Sequence, residues 1–115
     1  MPNEIKIERA QSTILRELNL ILQREFPDSE YLNGLTIREV RLTNDMSQAK
    51  VFYSLLYTDA DLKDVEAEVK EYLKEIRMLL ASKIEMKSVP ELIFEYDKSL
   101  DNANKIEQIL KEIKE

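Results

Sequence analysis

The feature that most constrains this chain is one apolar stripe at helical spacing: Val65, Val69, Leu73, Ile76, Leu80 and Ile84. Side chains three and four residues apart share a face of an α-helix, so these six line up on one side. The pattern runs over residues 58–86, which is long for a globular helix and predicts a kink or break inside it. Thr58, followed by acidic residues, is the expected helix start, since a threonine hydroxyl caps free amides and carboxylates suit the positive helix end. Val89-Pro90 ends the helical region. The stripe could be a seam for a partner helix. Strand-like segments on both sides favour core packing instead.

Residues 3–26 carry a second helical stripe of Ile7, Ala10, Ile14, Leu18, Ile21 and Leu22, stopped by Pro27, which lacks an amide donor. Residues 35–43 read as a strand whose alternation changes phase. Leu35 and Ile37 fall on one count, Val40 and Leu42 on the next, as a β-bulge would produce. A polar connector leads to a strand over 49–56, and the pair reads as an antiparallel hairpin. Residues 92–97 alternate as a third strand, and residues 99–114 read as a closing helix with Ile106, Ile109, Leu110 and Ile113 apolar. The order α, β, β, long α, β, α predicts an α+β fold in one compact domain over residues 1–115. A three-stranded sheet with helices packed on one face would bury the stripes and leave its other face open.

Composition narrows the chemistry. The chain has no cysteine, no histidine and one glycine, Gly34. Disulfides and thiolate chemistry are excluded, the usual neutral-pH base is missing, and a phosphate-cradling glycine loop cannot be built. Ser12, Ser54 and Ser82 have no histidine to activate them and no S-x-x-K context. No enzyme, cofactor or small-molecule substrate is therefore expected. Asp59, Asp61 and Asp64 cluster near the helix start, but Lys63 stands where a calcium loop needs a ligand, so capping and a solvated face are the expected roles. Glu66 and Glu68 read as an exposed helix flank. Phe52, Tyr53, Phe94 and Tyr96 lie on strands. Without an RNA-recognition motif's glycine-aromatic string they read as packing rather than base-stacking residues. No apolar run approaches the roughly 20 residues of a membrane span, and residues 1–10 lack a signal-peptide core. A cytoplasmic location is expected.

Two stretches carry a family resemblance. One is LTIREVRLTNDMSQAKVFYS, starting at Leu35. The other is VPELIFEYDKS, starting at Val89 and followed by Ile106 and Leu110. With Arg9, Ile14, Glu17 and Leu18 of the first helix, they resemble the ribosome-binding factor A family over nearly the whole chain. The resemblance implies a type II KH-like fold, α-β-β-α-kink-α-β, plus the C-terminal helix. It also implies binding to the free small (30S) ribosomal subunit and a role in late maturation of the 5′ region of 16S rRNA, and a monomer is expected. The sequence departs from the family's pattern in places. Thr43-Asn44-Asp45 replaces Ser-Pro-Asp, and Pro27-Asp28-Ser29 lacks an arginine. The family's Ala-x-Gly kink falls near Tyr72-Leu73-Lys74, and Lys87 stands where arginine is usual.

The net charge of −6 speaks against nonspecific RNA affinity, but the placement of cations decides the matter. RNA contact is expected from Arg38, Arg41 and Lys50 on the hairpin, from Arg77, Lys83 and Lys87 along and just after the long helix, and from Lys98. Together these would form one basic face, opposite acidic segments over 59–71 and 101–115. Asp45 and Asp97 also match the family and are expected to make turn and cap hydrogen bonds. Two other functions fit the residues: a KH-like module with another RNA target, and an acidic protein–protein adaptor.

Overall fold

The computed structural model describes residues 2–55, 61–86 and 88–97. Helix α1 spans Pro2–Arg24. Strand β1 spans Leu35–Leu42, β2 Gln48–Leu55, and β3 Glu91–Tyr96. Helix α2 spans Leu62–Lys83, between β2 and β3. The sheet order is β1-β2-β3, with β1 antiparallel to β2 and β3 parallel to β2. This is the expected α+β architecture. The C-terminal helix over 99–114 lies outside the described residues.

The phase change in β1 is a real irregularity. Ile37 pairs with Tyr53 and Glu39 with Phe52, so Arg38 is the extra residue. The bulge lets Leu35, Ile37 and Val40 all face inward despite their broken alternation. From β2, Ala49, Val51 and Tyr53 join them, and from β3, Leu92. Helix α1 contributes Ile14, Leu18, Ile21 and Leu22, and α2 contributes Val65, Val69, Ile76 and Leu80. Truncating one of these to alanine, Ile76 for instance, would cost about 2–5 kcal/mol. Phe26, just after α1, meets Tyr72 of α2 edge-on with ring centroids 5.3 Å apart.

The break expected in α2 does not occur. The helix is continuous through Tyr72, Leu73 and Lys74. These are ordinary helix residues with neither glycine nor proline among them, so no backbone feature there interrupts the hydrogen-bond ladder. Its start also differs from expectation. Thr58 lies outside the described residues, and the N-cap is Asp61, whose carboxylate accepts from the Lys63 amide at 2.9 Å. None of the described helices is long and apolar enough to cross a membrane.

A sheet edge is a liability unless covered. Here α1 covers β1 with side chains. The Asn19 amide accepts from the Ile37 N–H at 2.8 Å and donates to its carbonyl at 3.2 Å, and Gln11 accepts from the Leu42 N–H at 2.9 Å. Among the described residues, one buried side-chain polar atom has no hydrogen-bond partner, the hydroxyl of Tyr53. Burial pushes its pKa up to about 12, with Glu66 and Tyr96 adding to the shift.

Candidate nucleic-acid interface

Strand alternation decides which cations leave the core. With Val40, Val51 and Leu92 turned inward, Arg41 and Lys50 are exposed on the open face, directly paired across β1 and β2. Ile93 pairs with Lys50 from the other side, and Phe52 sits in the next row between Glu39 and Glu95. The Arg41 guanidinium lies 5.3 Å from the Phe52 ring centroid and contacts Glu39 at 2.9 Å. Both partners are on the surface, where such a pair contributes little stability and the arginine charge stays available. Arg38 is exposed at the bulge.

The other cations lie elsewhere. Arg77 is exposed on α2, and its guanidinium donates to the Val89 carbonyl at 3.0 Å. That bond ties the segment entering β3 to the helix. Lys83 is in the last turn of α2. Since the helices cover the sheet face opposite Arg41 and Lys50, the structure divides the candidates between two sides of the molecule. The single basic face read from the sequence is not formed by the described residues. Side-chain alternation sends the strand cations away from the helix layer. Lys87 and Lys98 lie outside the described residues.

Two cations missed in the sequence join Lys83. Lys6 and Arg9, one turn apart on α1, line a groove of about 430 Å3 with Lys83. Met46, Ile84 and Met86 supply apolar lining together with Ala10 and Ile14 of α1, and Glu85 is its one carboxylate. Among the described residues, Lys6, Arg9 and Lys83 make no ion pair. The spacing of Lys6 and Arg9 was visible as one helical turn. Their meeting with Lys83 is tertiary and was not.

The hairpin turn brings Met46 to that groove. The Asp45 carboxylate accepts from the Thr43 and Ser47 hydroxyls, each at 2.7 Å, and from the Ser47 amide at 3.1 Å. These bonds hold its pKa down at about 2. Met46 closes the turn by donating its amide to the Thr43 carbonyl at 2.9 Å, and its φ is 61°. A left-handed backbone costs a non-glycine residue about 1 kcal/mol. The chain's one glycine is elsewhere, buried in a 3-10 turn at Leu32–Gly34.

The opposite end of α2 is acidic. Asp64, Glu68 and Glu71 gather with Glu30 and Tyr31. Glu68 is more than an exposed flank. Its carboxylate accepts from the amides of Tyr31 and Leu32, each at 2.9 Å, and of Glu30 at 3.3 Å. Burial raises the Tyr31 hydroxyl pKa, and the carboxylates of Glu30, Asp64 and Glu68 add to it.

Known proteins bear on this arrangement. The family model described as Ribosome-binding factor A matches residues 6–110. Among curated relatives, the Ribosome-binding factor A of Staphylococcus epidermidis is 34% identical over 111 residues, covering 96% of this chain and 95% of that protein. The protein of the same name from Phytoplasma mali is 41% identical over 108 residues, covering 92% and 94%. The crystal structure of ribosome-binding factor A from Thermus thermophilus superposes with a TM-score of 0.68 at 20% identity, covering 78% of this chain and 94% of that one. The fold and the extent of these matches together place the chain in the ribosome-binding factor A family.

Proposed function

We propose that this protein is a cytoplasmic ribosome biogenesis factor. It binds the free small ribosomal subunit as a monomer and assists late maturation of the 5′ region of 16S rRNA. The observation that carries this reading is the family match over residues 6–110, nearly the whole chain. Arrangement of charge supports it. A protein of net charge −6 needs its cations grouped to approach phosphates, and Arg41 with Lys50, and Lys83 with Lys6 and Arg9, are grouped. The protein acts by binding. With no histidine or cysteine, it lacks the usual neutral-pH base and any thiolate nucleophile.

Arg38, Arg41, Lys50, Arg77, Lys83, Lys87 and Lys98 are the proposed contact set. The test is cosedimentation of the purified protein with free small subunits and with joined ribosomes at two salt concentrations. Selective, salt-sensitive binding to the free subunit is expected, and charge reversal of Arg38, Arg41, Arg77 and Lys87 together should weaken it. Absence of the protein from both particles would overturn the reading. Binding to the free subunit with no salt dependence would replace RNA contact by a protein contact.

A further inference from the structure

We infer that the groove between the start of α1 and the end of α2 is a site for an unpaired RNA strand, with phosphates on Lys6, Arg9 and Lys83 and a base against Met46, Ile84 and Met86. This rests on the ribosome-assembly reading and names the place and form of the RNA contact.

Three observations converge. The first is charge. Lys6 and Arg9 project from α1 on the face that carries Ala10 and Thr13, while Glu8 lies about 200° round the helix from Lys6. The groove therefore takes two of the basic side chains of α1, Lys6 and Arg9, and its lining holds three cations against one carboxylate, Glu85. None of the three is neutralised within the described fold.

The second is shape and chemistry. About 430 Å3 is within the range of small-ligand pockets, and its lining joins cations to apolar and thioether surface. A nucleotide has that same combination, an anionic phosphate and a flat base. Methionine sulfur packs well on aromatic rings, and unpaired bases are the parts of RNA that can be turned out onto a protein surface. A duplex would offer phosphates but keep its bases stacked inside.

The third is strain. Met46 holds a left-handed backbone that glycine or asparagine would take more easily, and its side chain lines the groove. Strained backbone that persists at a binding surface points to a side chain wanted there. Asp45 pins the turn that presents it.

The test uses the full chain and a short fluorescein-labelled unpaired oligoribonucleotide, followed by anisotropy across a salt series. Four proteins are compared: the wild type, K6A/R9A/K83A, Met46→Asn, and the charge-matched control K63A/K70A/K74A on α2. On a single strand each phosphate contact adds about 0.7 to the log–log salt slope. The groove triple variant should therefore lower the slope by about 2 and weaken binding about a hundredfold at 0.1 M salt. Met46→Asn should weaken binding with the slope unchanged and the melting temperature unchanged or raised. The same RNA annealed into a duplex should bind more weakly than the single strand. Equal losses for both triple variants would reduce the effect to net charge and overturn the site. Met46→Asn at wild-type affinity would overturn the contact with the base.

Cosedimentation separates this inference from the reading beneath it. If the wild type binds the free subunit and K6A/R9A/K83A binds equally well, the groove is wrong and the assembly reading stands. If the wild type binds the oligonucleotide as described but no ribosomal particle, the groove stands and the assembly reading falls. Loss of subunit binding in the triple variant, with no wild-type affinity for unpaired RNA, would overturn RNA as the occupant in favour of an acidic protein.

Discussion

The two ends of α2 treat charge in opposite ways. At the N-terminal end, carboxylates crowd against the 30–32 segment, and Glu68 accepts from three of its amides. About 22 Å along the helix, counting 1.5 Å per residue, Lys83 meets Lys6 and Arg9, and none of the three is paired among the described residues. The acidic end uses its charge to hold the fold. The basic end leaves its charge to be used by something else. Net charge conceals this, because an anion satisfied by backbone amides and a cation facing solvent count equally in the sum.

Removing Glu68 should do the most damage. Glu68→Ala leaves the partly buried amides of Tyr31 and Leu32 without acceptors, and an unmet buried donor costs about 1–3 kcal/mol. Relief of repulsion from Asp64 and Glu71 offsets part of that. We expect a loss of about 2 kcal/mol by urea denaturation, with Glu68→Gln falling between it and the wild type. A loss no larger than that of an exposed residue would mean that the acidic end is as idle as its surface looks.

At the basic end, substitutions should be cheap for stability. Met46→Asn exchanges a strained left-handed residue for one that tolerates the conformation, and should change stability by a gain of up to about 1 kcal/mol. K6A/R9A/K83A removes exposed side chains with no ion pair among the described residues, and should stay within about 0.5 kcal/mol of the wild type. A much larger loss in thermal unfolding would show these cations to be structural, and the contrast between the ends would collapse.

What was legible in the sequence follows from what sequence encodes. Periodicity reports which residues face inward, so the stripes of α1 and α2 and all three strands were readable, and the phase slip between Ile37 and Val40 gave the bulge at Arg38. Periodicity does not report direction relative to other layers. It could not show that Lys83 meets Lys6 and Arg9 across the helix layer. It placed Glu68 on a flank because an acceptor for amides 36 to 38 residues away has no local signature. The expected break in α2 came from family resemblance and from length. The local sequence at Tyr72-Leu73-Lys74 has neither the glycine nor the proline that would interrupt a helix, and the helix is continuous there. Met46 was legible only as a turn residue. Its strain needs coordinates, because the sequence shows a methionine where the backbone favours glycine.

The finest effect concerns Asp45, where a surface carboxylate does locally what Glu68 does at the other end of α2. Its three hydrogen-bond donors favour the ionised form and lower the pKa from 3.8 to about 2. In the unfolded chain those bonds are gone and the carboxyl titrates at its ordinary value. The sign follows from linkage. The folded state holds the proton less tightly, so the stabilisation is fully present above the unfolded pKa and is lost as pH falls from about 3.8 toward 2. Thr43 and Ser47 hold the turn through this one carboxylate, and the Met46 amide bonds back to Thr43. Protonation should therefore loosen the Met46 side of the groove before it touches the core. In an NMR titration, the Ser47 and Met46 amide shifts should move together with an apparent pKa near 2. In Asp45→Asn they should be pH-independent over that range. If the Met46 and Ser47 amides instead titrated at an ordinary aspartate value, Asp45 would not organise the turn, and the groove would have lost the element that presents its methionine.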